Sequence, residues 1–407
     1  MASHCKEGSD SCDLTRRDFL AAAAGAAAFS TMTSKTALGT SANSAVSVGI
    51  IGCGWRGNHL ARILKNLDRT GIQVAALADL FDDRLEESKA NYPDDKPTAF
   101  RGLDAYQKLV AAPCDAVLIT SPPYFHPDHL EAAVGAAKHV YLEKPVAVDA
   151  AGAQRVRACG RKGEGRLTLF VGFQSRSRSD LVEAVERTRQ KAVGRLVCGN
   201  AYYNAGLMEP KDRPGMSEGE RRMRNWVFDQ VLSGDIIVEQ NVHVLDICNW
   251  VVGTPPLKAF ATGGRTVRTS AGNTWDHFEV TLWYPDDVQL VFASTQFLNL
   301  GWGDAQQRFY GSNGALELKA GDTLKGSAAI RGGNAWTFQG EVENPEVVRL
   351  RGFLDSIRKG ENRNEISIGV DSTLTGILAR TAAYRGELCT WDKMLAENEK
   401  LDAGRLD

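Results

Sequence analysis

The chain predicts an α/β fold whose N-terminal part is a doubly wound parallel sheet, and three features of its 407 residues carry that prediction. From Val46 to about residue 171, short apolar β-branched runs alternate with helical patterns, the signature of βαβ units. The first run leads straight into Gly52-Cys53-Gly54-Trp55-Arg56-Gly57. The second ends in a carboxylate, Asp79.

Each element follows in order. Ser47 to Ile51 reads as a buried strand, and Leu60, Ile63, Leu64 and Leu67 then recur at helical spacing. The glycine motif therefore sits between strand and helix, where a dinucleotide fold requires it. Gly52 permits the tight turn, Gly54 lets the backbone approach a pyrophosphate, and Gly57 lets helix and strand pack closely. Free N–H groups at the helix N-terminus face the phosphates. Strand Ile72 to Ala78 ends in Asp79, which lies 79 − 57 = 22 positions past Gly57. An acid about 20 residues on accepts from the ribose hydroxyls. It also repels a 2′-phosphate, which favours NAD over NADP, although Arg84 is a nearby cation that would suit NADP. A helix N-cap is the alternative role for Asp79. The alternation continues with a helix near 82–92, a strand at Thr98 to Phe100 and a helix near 104–111. Strand Asp115 to Thr120, a helix near 126–137 and strand His139 to Leu142 come next. A helix near 148–160 and strand Leu167 to Val171 complete six strands. Ligands bind at the carboxyl ends of such strands, here Gly52, Asp79, Ser121 and Glu143-Lys144.

Beyond residue 173 the pattern changes. His277 to Tyr284 alternates polar and apolar side chains, and Val288 to Phe297 is β-rich after the turn Pro285-Asp286-Asp287. Residues 320–346 read as loops, and 345–358 and 370–386 as helices. Gly234 to Asp246 reads as the start of a helix on which Glu239 and His243, four apart, share a face.

Composition bounds the function. Hydrophobic residues are 43%, charged residues 24%, and the formal net charge is -2, which excludes a basic nucleic-acid footprint. No uninterrupted apolar run of about 20 residues follows the N-terminus, so no membrane span is expected in the mature form. Eight cysteines contain no CxxC pair, so reduced, mostly buried thiols are expected and no metal site. Thr15-Arg16-Arg17-Asp18-Phe19-Leu20, then an alanine-rich stretch to Phe29-Ser30, resembles a twin-arginine export signal. Ala42 and Ala45 are both plausible cleavage ends. The expected organisation is a signal and lead-in over 1–45, a dinucleotide-binding domain over 46–172 and an α+β domain for substrate and oligomerisation over 173–407. Periplasmic export would favour an enzyme that keeps its cofactor.

Tyr141-Leu142-Glu143-Lys144-Pro145 resembles the Gfo/Idh/MocA family, which includes glucose–fructose oxidoreductase and inositol dehydrogenases. Ser121-Pro122-Pro123 with His126, Gly135 to Val140, and Val171-Gly172-Phe173-Gln174 match in order and spacing, and the resemblance covers about residues 46–395. It implies a second domain with an open, mostly antiparallel sheet, and homo-oligomers. It implies NAD contacts from Gly52, Gly54, Trp55, Arg56, Gly57, Asp79, Ser121, His126, Glu143, Lys144 and Gln174. The family carries an Asp four residues before the His that faces the nicotinamide; here Glu239 replaces it. Lys144, His243 and Glu239 are thus the catalytic candidates. His243 is the easier base at neutral pH, and Lys144 orients the hydroxyl and stabilises negative charge, or serves as base if neutral. Arg176, Tyr203, Asn204, Trp226, Asn241, Gln296 and Trp302 are candidate sugar contacts, with His277 reaching from the sheet. Three functions compete: a dehydrogenase acting on a secondary alcohol of a sugar, glycoside or polyol, a redox-neutral glycosidase or lyase with retained NAD, and a non-catalytic dinucleotide sensor.

Overall fold

The computed structural model describes residues 45–298, 303–319 and 327–406. The export-signal expectation, Cys5, Cys12 and Trp302 lie outside them.

The first half is a six-stranded parallel sheet in the order β3-β2-β1-β4-β5-β6. Its strands are β1 Val46–Ile51, β2 Ile72–Asp79, β3 Thr98–Arg101, β4 Ala116–Ile119, β5 His139–Leu142 and β6 Leu169–Val171. Helices Trp55–Leu67, Asp82–Asn91, Ala105–Ala111, His126–Gly135 and Ala150–Gly163 connect them. Covered on both faces, β1, β4 and β5 are almost wholly apolar and buried, as parallel strands must be. Every expected strand and helix of this half is present, with ends shifted by up to three residues. The helix expected from 148 begins at Ala150 because Asp149 caps it, accepting from Gly152 N at 2.7 Å.

The second half is a nine-stranded sheet in the order β14-β13-β12-β11-β7-β10-β9-β8-β15. Its strands are β7 Leu196–Gly206, β8 Lys258–Gly264, β9 His277–Trp283, β10 Gln289–Leu298 and β11 Asp304–Gly311, then β12 Gly314–Lys319, β13 Ala329–Gly332, β14 Trp336–Thr337 and β15 Cys389–Thr390. The pairing is antiparallel throughout except between β7 and β10. Strands β13 and β14 correct the loop expectation for 320–346. Ala329 and Ile330 are buried, and antiparallel pairing with β12 outweighs the local glycine and asparagine content. Alternation divides the sheet into two faces. Phe278, Val280 and Leu282 of β9 and Leu290, Phe292, Ser294 and Gln296 of β10 point inward, as do Ala201 of β7 and Gln307 and Phe309 of β11. Val197, Cys198, Phe260, Val291 and Tyr310 are exposed on the outer face. Cys198 is thus a surface thiol, whereas Cys53, Cys114, Cys159, Cys248 and Cys389 are buried as expected.

Helix Ile366–Arg385 joins the halves. It is buried along most of its length and packs on β8, helix Ala150–Gly163 and helix Val242–Val252. As buried polar groups require partners, its Ser372 donates to Asp246 at 2.6 Å and its Arg380 to the Val148 carbonyl at 2.7 Å. No helix among the described residues is long and apolar enough to cross a membrane.

Candidate active site

The glycine turn is built as its sequence requires. Gly52 has φ +93, and a Cβ there would lie 2.6 Å from Ser121 N. A Cβ on Gly57 would lie 2.3 Å from the Gly52 carbonyl, so only glycine lets the helix sit this close to the strand. Helix Trp55–Leu67 starts at Gly54 with no side-chain cap, leaving first-turn N–H groups for an anion. Beside it is a cleft of about 650 Å³, lined by Gly52, Gly54, Asp79, Phe81, Arg84, Ser121, His129, Met223 and Trp226 among others. Asp79 accepts from Cys53 N at 2.8 Å and Phe81 N at 3.0 Å, and burial raises its pKa. Phe81 is the residue before the next helix, so Asp79 is not its N-cap. Each Asp79 oxygen retains a lone pair for a ribose hydroxyl. These residues fit a dinucleotide.

Several expected cofactor contacts have other work. Arg56 donates to Glu143 at 2.8 Å and also to Glu346, so two carboxylates hold its guanidinium. Glu143 serves as its partner and also accepts from Lys144 N at 3.2 Å. Trp55 is 72% exposed, and its ring stacks on His59 at 4.9 Å between centroids. His126 is buried, with its ring nitrogens 2.7 Å from the Pro145 carbonyl and 2.8 Å from the Ser121 carbonyl. It buttresses the two strand-end loops from beneath. Ser121 lines the cleft and pairs with His129 Nδ1 at 2.9 Å. His129, which also stacks on Phe125 and meets Tyr106 at a tilt, was not expected from sequence.

Lys144, Glu239 and His243 converge. Lys144 Nζ donates to the Glu239 carbonyl at 2.6 Å and to its Oε1 at 3.0 Å. Two of three ammonium N–H groups are used and one is left for a substrate oxygen. The extra methylene of Glu239 carries its carboxylate to this lysine. The expected continuous helix is broken here. Ile236–Glu239 and Val242–Val252 are separate helices, and Asn241 N bonds back five residues to Ile236 O at 2.9 Å. One wide turn of this kind marks many functional sites. His243 Nδ1 is screened from water and has no partner. Its ring meets Phe173 edge-on at 6.1 Å, and Gln174 Oε1 beside Phe173 is also unpartnered. Burial first, then the charges of Lys144 and Arg56, push the His243 pKa well below 6.5. His243 is therefore neutral and proton-accepting throughout the neutral range. It follows that the turnover rate stays flat from pH 8 down through 6.5 and falls only as pH drops into the depressed His243 range. A pH–rate profile with an acid limb centred at 6.5 would contradict this assignment.

The substrate candidates divide sharply. Asn241 is fully buried, and neither its Oδ1 nor its Nδ2 has a partner. Gln296, also buried, donates to Gln240 Oε1 at 3.2 Å and keeps a free Oε1. That bond ties the inner sheet face to the Glu239–His243 segment. Ser294 and both amide atoms of Gln307, on the same face, are buried and unpartnered. Buried polar atoms without partners cost about 1–3 kcal/mol each, so each of these groups calls for a polar partner, a bound water or a ligand. Ser294 and Gln307 were missed, although each is a polar residue in an apolar alternation. Tyr203 shares the inner register, pairing with Ser294 and Ala305.

Four candidates are placed elsewhere. Arg176 is locked to buried Asp246 by Nε and Nη2 at 2.9 Å and packs on Trp250. Trp226 lines the dinucleotide cleft. His277 alternates with inward Phe278 and so lies on the outer face, held to Asp276 at 2.8 Å, where Asn204 also points.

Comparison with known proteins follows this geometry. The description "Oxidoreductase family, NAD-binding Rossmann fold" matches residues 46–173, and "GFO/IDH/MocA C-terminal domain" matches residues 181–317. The chain is 24% identical over 351 residues to an inositol 2-dehydrogenase of Rhizobium meliloti, covering 84% of this chain and 96% of that enzyme. It is 27% identical over 276 residues to one from Acidothermus cellulolyticus, covering 67% and 72%. Among solved structures, an aldose-aldose oxidoreductase from Caulobacter crescentus complexed with glycerol superposes with TM-score 0.68 at 19% identity, covering 85% of this chain and 99% of that one. A levoglucosan dehydrogenase in complex with NADH gives TM-score 0.68 at 15% identity, covering 85% and 98%.

Proposed function

Because the chain belongs to the Gfo/Idh/MocA family of oxidoreductases, we propose that it oxidises a secondary alcohol of a cyclic polyol, sugar or glycoside, with NAD as cofactor. The observation that carries this reading is the pairing of Lys144, clamped by Glu239, with neutral, unpartnered His243. The Gly52–Gly57 turn and Asp79 would hold the pyrophosphate and adenosine ribose of NAD, whose nicotinamide would supply the hydride acceptor. His243 takes the hydroxyl proton, and the remaining Lys144 N–H steadies the oxygen as its carbonyl forms. Asn241, Ser294, Gln296 and Gln307 offer both donors and acceptors to neighbouring hydroxyls. The names of the relatives, inositol 2-dehydrogenases, favour a cyclitol as the first compound to try.

The test is a panel of cyclitols, aldoses and glycosides with added NAD, read by reduced-nicotinamide absorbance. Production of NADH with at least one polyol is expected, and silence across the panel would defeat the reading. A second reading, transient oxidation within glycosidic bond cleavage with a retained cofactor, is favoured by Met223 and Trp226 of the second half adding to the cleft wall. Aryl glycosides without added NAD then release aglycone. Asp79 favours NAD, with Arg84 in the same cleft as the opposing cation. Self-association is part of the proposal and rests on the exposed apolar outer face of Val197, Phe260, Val291 and Tyr310. So is export to the periplasm, carried by Arg16-Arg17 and the alanine-rich stretch after them.

A further inference from the structure

The wall of the dinucleotide cleft is not all supplied by the parallel-sheet half. Met223 and Trp226 come from the segment between β7 and helix Gln230–Ser233, far along the chain. This segment has two kinds of attachment. One is apolar: Met223 and Leu232 cluster with Ala403 and Leu406, against Leu80, Phe81, Tyr124, Phe125 and Trp226. The other is ionic and lies at the solvent edge. Arg224 Nη1 and Nη2 grip the two Asp83 oxygens at 3.0 Å each, and Arg213 Nη1 adds a third bond at 3.3 Å. Arg224 also lies 3.9 Å from the centre of the Phe81 ring, itself part of the cleft wall. Glu220 steadies the same guanidinium at 2.7 Å. Arg224 first, then Arg213, hold the Asp83 carboxyl below its usual range, so the grip is ionic at neutral pH.

We propose that Asp83, Arg224 and Arg213 are a clasp that fastens residues 207–229 across the adenosine end of the cleft and sets how slowly the nicotinamide cofactor leaves. The inference rests on the dinucleotide reading of that cleft. Its physical basis is the difference between the attachments. Opening the ionic edge uncovers the Phe81 ring under Arg224 but leaves the Met223, Leu232, Ala403 and Leu406 cluster packed, so it is the easier attachment to release and the step by which a cofactor enters and departs. A forked Arg–carboxylate pair resists that step because both bonds must break together. These three are positioning residues and touch neither the substrate nor the reacting atoms.

The experiment measures NADH dissociation from the full-length protein by stopped-flow fluorescence, with excess NAD as displacer. Parent, Asp83→Asn, Arg224→Gln and the double variant are compared, and thermal melts of the cofactor-free proteins verify folding. Asp83→Asn is isosteric at a half-exposed site, so its melt matches the parent. The expected result is a dissociation rate raised at least about threefold in each single variant, the modest size expected of a partly solvated pair. The double variant then equals the faster single one, since the pair is lost only once. Asp83→Glu, which keeps the charge, stays under that threshold. Dissociation in Asp83→Asn that remains under threefold of a parent that binds NADH would overturn the clasp. A parent that binds no NADH at all would instead overturn the dinucleotide reading, and the clasp with it.

Discussion

Replacing His243 with alanine lowers turnover by about 10²- to 10⁴-fold, the range for loss of a positioned general base. The KM for NAD changes far less than turnover, because the glycine turn and Asp79 that hold the dinucleotide are left intact. The physical argument is one of supply. Asp79 and Glu143 are committed to backbone N–H groups and to Arg56, and Glu239 to Lys144. The His243 imidazole is held neutral, so one ring nitrogen accepts, and no carboxylate engages it; it is the available proton acceptor. Lys144→Ala gives a loss of similar size for a different reason: it deletes the donor to the developing negative charge and strands Glu239 half-buried without its cation. Lys144→Arg does not rescue, since a planar fork cannot reproduce a lysine that donates to both the carbonyl and the side chain of Glu239. Steady-state rates on whichever polyol the panel identifies decide both points. Full activity in either alanine variant would remove this cluster from the chemistry.

The second large effect falls on the turn. Gly52→Ala costs about 2–4 kcal/mol of stability and lowers the Tm of the cofactor-free protein by several degrees. It combines a left-handed backbone at φ +93 with a Cβ placed 2.6–2.8 Å from the backbone of Thr120 and Ser121. The contacts are to backbone just past the end of buried β4, which cannot swing aside as a side chain would. NAD affinity falls with it, since the same displacement moves Ser121 and the start of the helix. Gly54→Ala is the control. Its Cβ meets only Arg84 Nη1, the far end of a flexible side chain, so the fold survives and cofactor affinity alone declines. Melting curves with calorimetric NAD titration separate the two. Equal melting of parent and Gly52→Ala would refute the steric account.

Most of the first half was legible because its signals are local. A β-branched run, a glycine turn and a helical period each occupy fewer than twenty consecutive residues, and their chain order is their spatial order up to one switch point. Lys144, Glu239 and His243 were legible as a set, though their join was not. The carboxylate reaches Lys144 rather than His243, through a turn that sequence periodicity reads as unbroken helix. The second half was less legible. Strands β7, β8, β11 and β12 lack sharp boundaries, and β13 and β14 hide in a stretch whose composition favours loops.

By itself, the sequence determined the class of the chain, the turn that receives a dinucleotide, and the residues at the ends of the parallel strands. Side-chain type and short spacing suffice for these. Only the tertiary structure decided which polar groups are at liberty. Arg56 and Arg176 look like ligand-binding cations until their partners, Glu346 and Asp246, arrive from 290 and 70 residues away. His277 looks like a substrate contact until the pleat of β9 turns it to the outer face, while Ser294 and Gln307 turn inward without partners. The reason is physical: a hydrogen bond or ion pair is settled by which groups meet in space, and folding brings together groups whose separation along the chain carries no local signal.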